Sequence, residues 1–333
     1  MNLRRRRGML RLGAQTAKTM RKADRFFLPA LAAASLATVL LASFYRQIEA
    51  FVRPAQTTTT QPPPADIIAY KVPKTPVSDP DSPVWEQVPA YRISLADQSI
   101  TRPLKTTIPK QPVVVKAVYD DEWIAFHLTF TSEKPSTQAI KVPEFRDACA
   151  ILLARHPAAP EVRFMGTRDN PATILHWKAD WQVDMEQGFQ DLEKAFPNVS
   201  TDYYPPLKDA VSDGKPPRTV DVAEKAVKWF PALNAGNLLS EPVKKTAVEK
   251  VVGLGPGTIA TLPTQDAAGF GRWRNGVWRV VLAKKLLASD GAVGEISLEP
   301  GKVYAAAFTV WFGSEGDRGS RKNPSMLHTV YLQ

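Results

Sequence analysis

Residues 115–130, VKAVYDDEWIAFHLTF, decide the fold. The β-branched run Val113–Tyr119 stops at Asp120-Asp121, and Trp123–Phe130 then sets Trp123, Ala125, His127 and Thr129 against Ile124, Phe126, Leu128 and Phe130. Alternation with a period of two marks a strand, and a short acidic break between two such runs marks a turn. The stretch therefore predicts an antiparallel hairpin. The same pattern recurs where Arg272-Trp273 leads through Arg274-Asn275-Gly276 into Val277–Leu282. Asn-Gly readily takes the positive φ angles of a tight hairpin turn. Further strands are expected at Ala148–Leu153, Tyr304–Phe312 and Leu327–Leu332. Short strands in a chain with 29 prolines predict a mainly β fold, a β-sandwich, rather than a helical domain.

Outward from the hairpins, residues 66–333 read as one domain long enough to bury a substantial core. Within it, Met185–Val252 is Pro-rich, with amphipathic stretches at Gln187–Ala195 and Val222–Trp229. That is long for a loop, so it reads as an irregular or helical insertion over a sheet edge, or as part of a partner interface. Residues 46–65 form a linker whose RPAQTTTTQPPP run, residues 53–64, is an extended Thr/Pro spacer.

The net charge of +10 belongs to the tail. Residues 1–25 hold nine of the 43 basic residues and one of the 33 acidic ones, leaving 34 basic and 32 acidic residues in the rest. A nearly neutral domain argues against a nucleic-acid partner. FFLPALAAASLATVLLASF follows, 19 uncharged residues from Phe26 to Phe44. That length approaches a bilayer span, and the cations before it place residues 1–25 in the cytoplasm and the large domain outside. The expectation is an inner-membrane protein with one N-terminal transmembrane helix at 26–45 and a periplasmic domain. A cleaved signal peptide is the rival reading, but the basic region is long and no clean cleavage site follows.

Little conventional chemistry survives inspection. Cys149 is the single cysteine, which excludes an intramolecular disulfide, Cys-x-x-Cys-His haem attachment and a Cys-ligated iron–sulfur cluster within the chain. Gly253-Leu254-Gly255-Pro256-Gly257 is Gly-rich, yet Pro256 removes an N–H that a phosphate cradle needs. His127, His156, His176 and His328 show no pair at metal-ligand spacing.

Four segments carry a resemblance instead: VKAVYDDEWIAFHLTF (115–130); FRDACAILL (145–153) leading to RFMGTRDNPATILHWKADWQ (163–182); GRWRNGVWRVVLAKKL (271–286); and FTVWFGSEGDRGSRKNPSM (308–326). In this order they resemble the haem b (gamma) subunit of the type II dimethyl-sulfoxide-reductase family of molybdoenzymes. That family includes ethylbenzene and dimethylsulfide dehydrogenases, selenate and chlorate reductases, and nitrite oxidoreductase. The resemblance implies a β-sandwich holding one b-type haem between a Met and a Lys. It also implies electron relay to or from an iron–sulfur subunit beside a molybdopterin subunit, with a cytochrome or quinone-linked carrier outside the complex.

On these residues, Met165 is the expected thioether ligand. An amine binds iron only when neutral, so the lysine must be buried with a depressed pKa. Lys284 shares a strand face with Trp278, Val280 and Leu282 and ranks first for the metal, ahead of Lys322 and Lys285. His176 and Lys178 are expected to shape the pocket or bind a haem propionate, and His176 is a rival axial ligand. The alternative is a haem-free, carbohydrate-binding-like module that uses Trp273 or Trp311 as a stacking platform, or a purely structural membrane anchor.

Overall fold

The computed structural model describes residues 64–199, 231–241, 243–289 and 294–333. The expected transmembrane helix, the 53–63 part of the spacer and Val222–Trp229 lie outside them. Among the described residues, no helix is long and apolar enough to cross a membrane.

The fold is mainly β. The strands are β1 (Ile67–Lys71), β2 (Tyr91–Ile93), β3 (Val113–Tyr119), β4 (Trp123–Thr131), β5 (Ala148–Ala154), β6 (Ala172–Lys178) and β7 (Val248–Gly253). They continue with β8 (Ala260–Thr261), β9 (Ala268–Arg274), β10 (Val277–Lys285), β11 (Val303–Trp311), β12 (Asn323–Pro324) and β13 (His328–Leu332). Both predicted hairpins form. Asp120 closes the first, its carboxylate accepting from the Glu122 and Trp123 N–H groups at 2.8 and 2.7 Å. In the second, Asn275 and Gly276 take φ of 51° and 80°, as the Asn-Gly signal requires.

Hydrogen bonding joins the strands in the order β8-β7-β6-β5-β11-β13-β1-β3-β4-β10-β9, with β2 on β3 and β12 on β11. The sandwich expectation is thereby refined: one bonded path runs through both layers and folds over on itself. Strands from its two ends meet face to face, with the Trp177 ring of β6 lying 4.9 Å from the Trp278 ring of β10. Between the layers lies one core, containing Phe126, Leu128, Ile151, Leu175, Trp177, Val280 and Phe308. Asp147 is buried there and ties the layers together. Its carboxylate accepts from Trp278 Nε1 and Gly313 N at 2.9 Å, Ser136 N at 3.0 Å and Ser132 Oγ at 3.1 Å.

The close approach of the layers needs Gly271, because a Cβ there would sit 2.2 Å from Trp177 Cζ2. Gly271→Ala is expected to lower stability by about 1–3 kcal/mol through overpacking. Chemical denaturation checks this, and an unchanged midpoint would contradict the tight contact.

The Met185–Val252 expectation needs correction at both ends. The helix begins before the predicted amphipathic stretch, as α1 (Ala179–Gln187), with a second turn at α2 (Leu192–Ala195). Val248–Gly253 is β7, bonded to β6, and not insertion. A third short helix, α3, spans Pro231–Asn234.

Candidate functional site

The layer made by β5, β6, β7 and β11 packs against a buried apolar cluster on each face. On β5, Cys149, Ile151 and Leu153 enter the central core, while Ala148, Ala150, Leu152 and Ala154 point to the opposite face. The register sets Ala154 beside Ala172 and Ala305, Leu152 beside Ile174 and Ala307, Ala150 beside His176 and Thr309, and Ala148 beside Lys178 and Trp311. Small side chains thus floor the second face, and surface loops cover it.

Met165 reaches this face at the Ala172 end. It follows the 3-10 turn Pro160–Phe164 with φ 77° and ψ 32°, a left-handed conformation uncommon for a residue with a side chain. Two glycines allow the loop to seat. A Cβ on Gly253 would lie 2.4 Å from the Met165 carbonyl oxygen, and one on Gly166 would lie 2.5 Å from the Gly253 oxygen. The Met165 carbonyl also accepts from Gly255 N at 3.0 Å. The half-buried thioether side chain packs on the alanine-rich cluster.

Lys322 arrives at the other end of β5, where Trp311 pairs with Ala148. Its Nζ lies 5.2 Å from the Trp311 ring centroid. Among the described residues it has no hydrogen-bond or ion-pair partner. Burial alone brings its pKa down from the usual lysine range to about 8. The loop that carries it is braced by a segment that sequence reasoning missed. Lys105, 1% exposed, donates to Asp317 and Glu315 at 2.7 Å, Arg321 donates to the Leu104 carbonyl at 2.7 Å, and Asn323 Nδ2 donates to Ala96 and Thr107 carbonyls at 2.9 and 2.7 Å.

His176 lies between these two approaches. Its ring stacks on Trp311 with centroids 4.7 Å apart, and Nε2 is buried with no partner among the described residues. Burial, reinforced by Lys178, Arg146 and Lys322, holds the imidazole well below its usual pKa and therefore neutral.

The other candidates fall elsewhere. Lys178 lies on the same strand face but is buried in an ion pair with Glu249, with its Nζ 3.9 Å from the Trp181 ring centroid. Burial lowers its pKa and Glu249 opposes that shift. Lys284, ranked first from the strand pattern, does face inward with Trp278, Val280 and Leu282, but inward is the central core. It donates to the Ile296 carbonyl at 3.1 Å and lies 4.0 Å from Glu295, which pairs with Lys250 at 2.8 Å. Met165 and Lys284 thus contact different clusters, Met165 the alanine-rich one and Lys284 the central core. Lys285 is solvated and paired with Glu122 at 3.2 Å.

Lys284 has a measurable consequence. Burial lowers its pKa from 10.5 to about 8, with Glu295 raising it and Lys250 lowering it further. Between those values the unfolded chain binds the extra proton, so this residue's contribution to stability rises with pH across the window of about 8 to 10.5. Lys284→Met is expected to change stability by less than about 1.5 kcal/mol at neutral pH, since Glu295 keeps Lys250. Wild type should gain on the variant as pH rises through the window. Denaturant unfolding at both ends of the window checks this, and a pH-independent difference would contradict it.

Neither tryptophan of the carbohydrate-binding alternative is an open platform. Trp311 is buried under His176 and Lys322. Trp273 is half-buried against the core and donates to the Ser132 carbonyl at 2.8 Å.

A sequence model of the family described as ethylbenzene dehydrogenase matches residues 82–323. No curated protein matches the chain. Among solved structures, the chain is similar to a family 9 carbohydrate-binding module from Caldicellulosiruptor kristjanssonii, seen in complex with glucose and with cellotriose. Identities are 10% and 11% and TM-scores 0.37 and 0.35, covering 80% of this chain and 95% and 93% of the modules.

Proposed function

Because the chain belongs to the ethylbenzene dehydrogenase family, we propose that it is the b-type haem electron-transfer subunit of a molybdenum oxidoreductase complex, in which Met165 and Lys322 would hold the haem. The observation that carries this reading is the placement of Met165 and Lys322 at opposite ends of one alanine-rich face. The residues present fit the group. The face offers a soft thioether, an amine whose pKa burial has brought to about 8, and a buried imidazole nitrogen without a partner among the described residues.

When bound, haem supplies a one-electron couple. The chain's residues do the rest. Met165, neutral and soft, would favour the ferrous state and raise the potential. Burial brings the pKa of Lys322 down to about 8, which lowers the cost of giving up its proton near physiological pH. Ala148, Ala150, Leu152, Ala305 and Ala307 would give the group a buried apolar floor. The subunit is proposed to relay electrons without transforming substrate itself.

In this reading the partners are the iron–sulfur and molybdopterin subunits and an external cytochrome or quinone-linked carrier. Residues 26–45 anchor the chain in the inner membrane, with the domain in the periplasm. The charge asymmetry around Phe26–Phe44 supports that topology. Pyridine haemochrome assay of the purified full chain tests the cofactor. Non-covalent haem b equimolar with protein is expected; a folded chain that takes up none from excess haem would overturn the reading.

A further inference from the structure

Met165 is delivered by the loop between β5 and β6, and one buried side chain closes that loop at its base. Asn170 is 4% exposed, although Arg168 and Asp169 just before it are exposed. Its Nδ2 donates to the His156 carbonyl at 3.1 Å, and its Oδ1 accepts from the His156 N–H at 3.2 Å. Its own N–H donates to Thr167 Oγ1 at 3.0 Å, and its carbonyl accepts from the Thr167 N–H at 3.0 Å. Resting on the haem reading above, we propose that Asn170 is a positioning residue that fixes the Met165 thioether where an iron can meet it.

His156 follows the end of β5 and Asn170 precedes the start of β6, so this pair bridges the two ends of the loop. Meeting both the N–H and the carbonyl of His156 takes an acceptor and a donor on one short side chain. Asparagine supplies both, whereas an ionised aspartate only accepts. Pro171 disfavours the helical region for the residue before it, which keeps the Asn170 backbone extended and its amide aimed across the loop. Thr167 ties the same residue to the turn after Met165, where the Gly166 N–H donates to the Val162 carbonyl at 2.8 Å. Met165 itself takes φ of 77°, a conformation that persists only where its surroundings over-determine it. The glycine seat makes room for that conformation. The Asn170 ties keep the loop from leaving it, and outer ties of this kind govern how firmly a metal ligand binds.

Asn170→Asp keeps the volume and the acceptor, but removes the donor and sets a carboxylate oxygen against the His156 carbonyl. In the haem-loaded full chain, added imidazole is expected to displace the thioether at about tenfold lower concentration in Asn170→Asp than in wild type. The readout is loss of the sulfur–nitrogen signature in near-infrared magnetic circular dichroism, and the midpoint potential should fall as well. Thr167→Val removes only the Oγ1 acceptor and should shift both readouts the same way by less. Gly271→Ala, which loads stability through the Trp177 contact, is the control and should move neither. In the haem-free chain, hydrogen exchange at the His156 and Thr167 amides should quicken in Asn170→Asp while the β5 and β6 amides stay protected. Wild-type imidazole sensitivity and potential in Asn170→Asp, or equal shifts in Gly271→Ala, would overturn the positioning role and leave the haem reading intact. Should Asn170→Asp not fold, wild-type behaviour of Thr167→Val would overturn it instead. A wild-type chain that takes up no haem, or shows no sulfur signature, would overturn Met165 as the ligand and this inference with it.

Discussion

Replacing Lys322 with alanine is expected to leave a folded protein whose haem has lost its second axial ligand. The residue is half-buried and makes no hydrogen bond or ion pair among the described residues, so its removal breaks no network. The brace of Lys105, Asp317 and Asn323 that holds its loop remains in place. The ferric absorption spectrum should change from low-spin to high-spin, and haem affinity should fall by about tenfold or more, the scale on which even outer partners of metal ligands act. The same measurement on Lys284→Met is the control, with the low-spin spectrum expected to persist. A low-spin spectrum surviving in Lys322→Ala and lost in Lys284→Met would reverse the assignment.

Met165→Ala is expected to have the other large effect. It removes the thioether that favours ferrous iron, so any haem retained should show a lower midpoint potential, and most haem should be lost. Alanine keeps the left-handed backbone no less strained than methionine does, and the seat formed by Gly166, Gly253 and Gly255 is unchanged. Circular dichroism should therefore show a retained β fold beside a depleted haem spectrum. An unaltered potential in the variant would remove Met165 from the site.

The hairpins were legible in the sequence because their turns carry their own chemistry, Asp120 by capping backbone N–H groups and Asn275-Gly276 by accepting positive φ. β6 and β7 were not. β6 is covered on both faces and sets His176 and Lys178 among apolar residues, so ATILHWK shows no polar-apolar alternation. β7 conceals its burial behind Glu249 and Lys250, whose charges are met by Lys178 on one face and by Glu295 and Asp266 on the other.

The site was legible in the same uneven way. Met165 was singled out by the family resemblance of its RFMG segment, and the inward face of Lys284 was read correctly from strand period. Period two says which residues share a face, not which of two covered faces receives a ligand. That distinction depends on the fold-over of the sheet and on the Lys105 brace, contacts between residues more than 200 positions apart. The available local signal was the spacing of small residues in ACAILLA and AAAF, where alanine recurs on the second face.

The most direct test is the near-infrared magnetic circular dichroism of the ferric full chain, because the ligand-to-iron transition reports the two axial atoms together. The signature of a thioether sulfur opposite an amine nitrogen is expected, arising from Met165 and Lys322. A signature of two nitrogen ligands would contradict that pairing and point to His176.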